Sequence, residues 1–164
     1  MSYAEGVNER AETFFQDLKS GQKYISDSAL ITEAAIKSFA AEFDPQQFHL
    51  DDAWARQSLF QGLAASGWHT AAISMRLFVT RMNFAGGAIG LGVDDLKWPI
   101  AVRVGDELSV ETEILELRES RSRDRHGILK FRNITRNQRG EIVQQFVASA
   151  LVTKRESPVT LEQE

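Results

Sequence analysis

The sequence predicts an α+β domain in which one long helix lies across an antiparallel β-sheet. The chain has 164 residues, of which 43% are hydrophobic and 26% charged, as expected for a single domain with one core. The longest helical pattern, at 66–83, has apolar residues around most of its circumference and is expected to be buried. After it the chain alternates in short runs typical of strands.

The elements follow one another as short helices, the long helix and then strands. Thr32 is expected to cap a helix, because Glu33 lies in its first turn and apolar residues recur at helical spacing. Pro45 prevents that helix from continuing. The predicted elements are helices at 11–18, 32–43, 50–57 and 66–83, an extended stretch at 23–31, and strands at 89–98, 107–117, 128–136 and 142–153.

The strands are expected to form one sheet that leaves an edge free. In the last strand, apolar residues recur along one face, and turn signals separate the strands at 105–106, 121–127 and 137–140. A sheet covered on one side only is most simply completed at its edge by a second copy of the chain. A homodimer is therefore predicted.

The segment FDPQQFH, at 43–49, sets the carboxylate of Asp44 and the imidazole of His49 five residues apart across a predicted turn. Phe48 is apolar and can anchor that turn against the core. A free histidine titrates near roughly pH 6.5 and an aspartate stays ionised at neutral pH, so the two can hold and activate a water. The structural alternative is a capped turn that carries a surface histidine.

This segment resembles the hydratase motif of the MaoC-like acyl dehydratases and (R)-specific enoyl-CoA hydratases, in which Asp-x-Asn-Pro-x-His is followed by Leu-Asp. Asp44 and His49 match its catalytic pair. The stretches GLAASGWHTA (62–71) and LKWPIAVRVGDEL (96–108) resemble the family's oxyanion loop and strand-turn-strand segment, in the same order. Gln46 and Gln47 stand where the hydratases usually have Asn and Pro, which bears on how the water or substrate is oriented.

The resemblance implies a hotdog fold, with a long central helix wrapped by a curved antiparallel sheet, over residues 1–155. It implies hydration of a trans-2-enoyl-CoA, or the reverse dehydration of a 3-hydroxyacyl-CoA. Asp44 and His49 would activate the water, and Gln46 would contact the substrate. The acyl tunnel would follow a dimer interface, and no metal, flavin or nicotinamide cofactor would be required. Residues 156–164 are expected to form a flexible polar tail.

Small residues at 62–67 lead to the start of the long helix. Backbone N–H groups and the positive end of the helix dipole stabilise negative charge there, so the Gly67 N–H is the predicted donor to the thioester oxygen. Ser66 is predicted to cap the helix beside the substrate. It is not expected to be a nucleophile, because no histidine is placed beside it as in a nucleophile elbow.

Residues 118–139 are strongly basic, with eight basic and two acidic side chains in a chain of net charge −4. Lys130 and Arg132 share one face of a predicted strand and are the candidate ligands of the coenzyme A phosphates. The alternative is a solvated hairpin whose basic side chains keep a sheet edge soluble. Nucleic acid is not an expected partner, because no recognised binding motif or stacking aromatic residues accompany the arginines.

Composition excludes several other classes of site. The absence of cysteine rules out disulfides, thiol nucleophiles and cysteine-based metal sites. No apolar run approaches the roughly 20 residues of a membrane span, and the first fifteen residues lack a basic start with an apolar block, so a cytoplasmic protein is predicted. A metal site from Asp44, His49, Asp51 and Asp52 is disfavoured, since Asp51 and Asp52 suit a helix start.

Two other functions stay open on the sequence alone. A hotdog thioesterase usually directs a water from a carboxylate near the central helix, but residues 66–83 contain no Asp or Glu. A non-catalytic acyl-binding subunit would not need the pair of Asp44 and His49. Of the remaining histidines, His69 is expected to pack in the first turn of the long helix and His126 to lie exposed in a loop.

Overall fold

The structure is a computed structural model that describes residues 11–156, so the predicted tail, apart from Glu156, lies outside the described residues. A 3-10 turn at Phe15–Asp17 comes first. The helices are α1 (Glu33–Phe43), α2 (Gln47–Leu50), α3 (Asp52–Ala55) and α4 (Gly67–Met82). The strands are β1 (Lys23–Ile25), β2 (Ala29–Leu30), β3 (Ala88–Lys97), β4 (Glu107–Glu119), β5 (His126–Arg136) and β6 (Ile142–Thr153).

The strands form one antiparallel sheet in the order β1-β4-β5-β6-β3, and β2 also pairs with β4. Ile114 of β4 lies beside Phe131 of β5, which in turn lies beside Ala148 of β6. Strand alternation places these three side chains on the same face. All three are buried, and they form part of a single hydrophobic cluster.

The long helix α4 lies across this inward face. Phe78 stacks on Phe131 with ring centroids 4.5 Å apart, and Met82 is buried in the same cluster. Nearer the start of the helix, a second cluster contains Leu77, Leu63 and Val143. A long helix packed on an antiparallel sheet is the predicted hotdog arrangement, and the structure confirms it.

Several local predictions need correction. The predicted helix at 50–57 is split, because Asp51 is extended (φ −136°, ψ 120°) and caps α3 by accepting the Trp54 N–H at 2.7 Å. The stretch at 23–31 holds two short strands with a break between them, and the helix predicted at 11–18 is only the 3-10 turn. His126 is half-buried and begins β5, so its placement in an exposed loop was wrong.

The long helix was predicted to be buried, but in the single chain one of its faces is exposed. Trp68, Met75 and Val79 are 60%, 46% and 43% exposed, and with Ala72 they follow one stripe at helical spacing. At the sheet edge, β3 pairs with β6 alone among the described strands and exposes Ile89 and Val93. Within residues 11–156, none of the helices has the length and apolar composition that a membrane span requires.

Candidate active site

A cavity of about 330 Å³ lies where the turn after α1, the start of α4 and the segment after β3 meet. It brings together five of the residues that the sequence singled out: Asp44, Gln46, His49, Ser66 and Gly67. Apolar and aromatic side chains form most of the remaining wall. These are Phe48, Phe60, Ala65, Trp68, Trp98, Ile100, Ala101, Val102 and Val143, with Thr70 as a further polar residue.

Asp44 ends helix α1, and its carboxylate is bonded on both oxygens. The Gln46 side-chain amide donates to Oδ1 at 2.7 Å, and the Ser66 hydroxyl donates to Oδ2 at 2.6 Å. Burial is the largest effect and raises the pKa of Asp44, but the bonds from Ser66 and Gln46 and the nearby His49 together outweigh it. The pKa of Asp44 is therefore lowered, which keeps it ionised at neutral pH.

His49 is buried, with 4% of its surface exposed, and the backbone fixes its orientation. Its Nδ1 lies 2.6 Å from the carbonyl oxygen of Ala64. A carbonyl oxygen only accepts, so Nδ1 carries the proton and donates it. The other ring nitrogen, Nε2, then faces Asp44 Oδ2 at 3.4 Å. Phe48 packs edge-on against the imidazole, with ring centroids 4.6 Å apart.

When the His49 ring is neutral, this geometry leaves two hydrogen-bond acceptors side by side. Neutral His49 with its proton on Nδ1 presents a lone pair at Nε2, and ionised Asp44 presents only lone pairs. Neither group can donate to the other in these protonation states. A molecule with two O–H donors, such as water, satisfies both acceptors at once.

The start of α4 lines the same cavity. Ser66 caps the helix, as predicted, since its Oγ accepts the Trp68 N–H at 3.2 Å while its hydroxyl proton goes to Asp44. Gly67 is the first helical residue, where a backbone N–H has no acceptor within the helix. A side chain at Gly67 would come within 2.7 Å of the Trp98 ring, so only glycine allows this close contact.

The loop before α4 is held by Arg103 and Asp52, and the sequence predicted this role for neither residue. The Arg103 guanidinium donates to the carbonyl oxygens of Phe60 at 2.6 Å and Gly62 at 2.9 Å. From the other side, Asp52 Oδ1 accepts the Leu63 N–H at 2.9 Å. These contacts position the Ala64 carbonyl that orients His49. Arg103 stands within the 96–108 stretch, but nothing in the sequence indicates its partners.

Lys130 and Arg132 are not brought to this cavity. Both are exposed and alternate with the buried Leu129 and Phe131, so they lie on the opposite face of the sheet. Arg132 is paired with Glu113 at 3.1 Å, and Lys130 lies beside Glu116 on β4. Any contact they make with coenzyme A would have to reach that outer face.

His69 lies outside the cavity lining and behaves as a packing residue. It is buried, and its ring stacks on Phe39 of α1 with centroids 4.8 Å apart. Burial, assisted by the charge of Arg76, lowers the pKa of His69 and favours the neutral ring. Among residues 11–156, no three histidine, aspartate or glutamate side chains are grouped closely enough to hold a metal ion.

The family model described as MaoC like domain matches residues 16–136. An uncharacterized protein of Bacillus subtilis (strain 168), YdeM, is 32% identical over 120 residues, which cover 73% of this chain and 84% of that protein.

Solved structures agree with this match. A MaoC-like dehydratase from Rhodospirillum rubrum is 51% identical, with a TM-score of 0.84 over 88% of this chain and 99% of that one. An (R)-hydratase from A. caviae involved in PHA biosynthesis is 29% identical, with a TM-score of 0.69 over 82% of this chain and 97% of that one. An R-hydratase from Pseudomonas aeruginosa is 26% identical, with a TM-score of 0.72 over 92% and 94%.

Proposed function

The chain belongs to the MaoC-like domain family, and on that basis we propose that it is a hydro-lyase that adds water to a trans-2-enoyl-CoA or removes it from a 3-hydroxyacyl-CoA. The observation that carries the proposal is the pair of facing groups, Asp44 Oδ2 and His49 Nε2, 3.4 Å apart in one cavity. A general acid/base pair that holds water is the requirement of this reaction.

In the proposed mechanism, a single water donates one hydrogen bond to Asp44 and a second hydrogen bond to His49. Its oxygen lone pair is then free to attack C3 of the enoyl group. As the new C–O bond forms, the pair takes one proton from the water. It returns a proton to C2 when the enolate collapses, so that Asp44 and His49 end in the protonation states in which they began.

Negative charge develops on the thioester oxygen during the attack. The proposed acceptor of that charge is the Gly67 N–H at the start of α4, where the helix dipole adds to the effect. Ser66 is not assigned a proton-transfer step, because its hydroxyl already donates to Asp44 and accepts from Trp68. Its proposed role is to hold the carboxylate, and Gln46 does the same from the other oxygen.

We propose that the reaction needs no cofactor, since the enoyl thioester and water account for every atom of the product. The coenzyme A moiety is proposed as the carrier of the acyl group. The assignment of Lys130 and Arg132 to its phosphates remains a prediction. The ion pair of Arg132 with Glu113 favours the alternative in which these residues only keep the outer sheet face soluble.

We propose that the enzyme acts as a homodimer. The apolar stripe of Trp68, Met75 and Val79 on α4 and the open edge of β3 are surfaces that a second copy would cover. Trp68 also lines the cavity, so the proposed interface reaches the site. Two equivalent sites per dimer follow from this arrangement.

The rival function is a thioesterase, and a paired assay separates the two. The described part of α4 offers no carboxylate to direct a water at the thioester carbonyl, since Gly67–Met82 contains no Asp or Glu. Purified protein should hydrate trans-2-butenoyl-CoA, seen as a fall in the absorbance of the conjugated thioester. It should release negligible free thiol from saturated butanoyl-CoA. Thiol release faster than hydration would reverse this assignment. If the protein shows neither activity, the result would favour a non-catalytic binding subunit.

A further inference from the structure

Trp98 forms one wall of the cavity and is held there by a buried hydrogen bond. Its indole N–H donates to Gln144 Oε1 at 2.8 Å. Gln144 is 0% exposed, and its position on β6 is beside Thr135 of β5. Because an indole can only donate, this bond fixes which end of the Gln144 amide faces Trp98.

The glutamine is not explained by packing of the core. Its Nε2 is buried and has no hydrogen-bond partner among the described residues. An unpaired buried donor destabilises a fold, and an apolar side chain of similar size would avoid that cost. What Gln144 supplies is the acceptor that holds the Trp98 indole in one orientation.

In that orientation Trp98 lines the cavity beside the proposed oxyanion site. Its ring is so close to Gly67 that a methyl group there would approach ring carbons at 2.7 Å. Trp98 also packs edge-on against Trp68, with centroids 5.2 Å apart. The cavity volume of about 330 Å³ lies at the small end of ligand-sized cavities.

Resting on the function proposed above, we propose that Trp98, held by Gln144, limits the size of the acyl group that the site accepts. Small unbranched enoyl groups fit between the catalytic pair and the indole. Longer groups, and groups branched at C2 next to the thioester carbon, meet the ring. Trp98 is thus a specificity-determining residue, and Gln144 is the residue that positions it.

The test compares kcat/KM for trans-2-butenoyl-, trans-2-octenoyl- and 2-methyl-2-butenoyl-CoA in the wild type, Trp98→Ala, Trp98→Phe and Gln144→Met. Each methylene newly accommodated should add about fourfold. The octenoyl-to-butenoyl ratio should therefore rise at least about tenfold in Trp98→Ala. Gln144→Met, which frees the indole, should raise it less, and Trp98→Phe should fall between wild type and Trp98→Ala.

A purely structural role would lower kcat/KM for all three substrates alike. An unchanged ratio in Trp98→Ala would therefore overturn the proposal. If Trp98→Ala does not fold, the ratios in Trp98→Phe and Gln144→Met decide the question in the same way.

Calorimetric binding of saturated butanoyl- and octanoyl-CoA to the same variants gives a readout that does not depend on catalysis. If the wild type hydrates none of the substrates, the proposed function fails. A shift in binding ratio toward octanoyl-CoA in Trp98→Ala would then still support the indole as a size limit. An unchanged binding ratio would overturn it.

Discussion

His49 takes its tautomer from the main chain. The Ala64 carbonyl accepts from Nδ1 at 2.6 Å, so in the neutral ring it is the lone pair of Nε2 that faces Asp44. The motif at 43–49 supplies the two side chains of the proposed catalytic pair, but the carbonyl that bonds to His49 lies fifteen residues further along the chain. Because that contact depends on how the loop before α4 is folded, the motif alone does not reveal it.

Ser66 should couple the stability of the fold to the ionisation of Asp44. Ser66→Ala removes the cap of α4 and one hydrogen bond to a carboxylate, so we expect a loss of about 2–3 kcal/mol in the free energy of unfolding at pH 7. Because the pKa of Asp44 is lowered in the folded protein, its ionisation stabilises the native state at any pH above the ordinary pKa of an aspartate. This stabilisation is lost as the pH falls through the pKa of Asp44 in the folded protein. The destabilisation should therefore shrink between pH 7 and pH 3 in urea unfolding.

Thr32→Ala is the matched control for this prediction. Thr32 caps α1 through the Ala35 N–H at 3.2 Å, at the opposite end of the helix from Asp44. Its removal should cost about 1 kcal/mol, to the same extent at both pH values, and should leave hydration unchanged. Equal pH dependence in the two variants would show that Ser66 acts only as a cap.

The sequence predicted which candidate residues lie together better than it predicted the contacts that support them. Asp44, His49, Ser66 and Gly67 do meet in one cavity, because local signals such as a helix end, a turn and a helix start place each of them. The roles of Arg103 and Trp98 were not predicted, because they depend on partners tens of residues away in the chain. For Lys130 and Arg132, strand alternation predicted that both lie on one face of the strand. It did not predict which face of the sheet packs against the core.

At the level of elements, the bounds of the long helix were predicted almost to the residue. Ser66 supplies the N-cap and Asn83 the left-handed C-cap (φ 44°, ψ 53°), and both flank a continuous helical pattern. The break at Asp51 was missed because residues 50–57 have no proline or glycine. There a side-chain cap from the aspartate competes with the helical backbone and prevails.

The start of α4 should depend on the pairing of Gly67 with Trp98. Gly67→Ala places a methyl group against a ring that Gln144 holds in position, so we expect a loss of at least about 1 kcal/mol in stability. In a Trp98→Ala background the same change should cost little. Thermal or urea unfolding of both single variants and the double variant gives the coupling energy. Additive effects would mean that the ring moves aside freely.

At the scale of the whole molecule, the protein is expected to be a dimer or a larger assembly of dimers. Light scattering should give a mass at least twice the 18.4 kDa of one chain. Met75→Glu should shift the protein toward monomer, because it places a charge in the exposed apolar stripe of α4. Hydration should fall in parallel, since Trp68 of the same stripe lines the cavity.

Ser38→Glu provides the comparison for that variant. Ser38 is exposed on α1 and outside the stripe, so the same added charge should leave mass and activity unchanged. A wild type that is monomeric and fully active would contradict the proposed dimer interface.

The most direct test of the central claim is hydration of trans-2-butenoyl-CoA by the wild type, Asp44→Asn, His49→Ala and the double variant, followed as loss of the conjugated absorbance. If the two side chains hold one water, each single change should lower kcat by roughly 10²–10⁴-fold with little change in KM. The double variant should be little slower than either single one, because both changes disable the same step. Near-wild-type turnover in either single variant, or losses that multiply in the double variant, would contradict the shared-water mechanism.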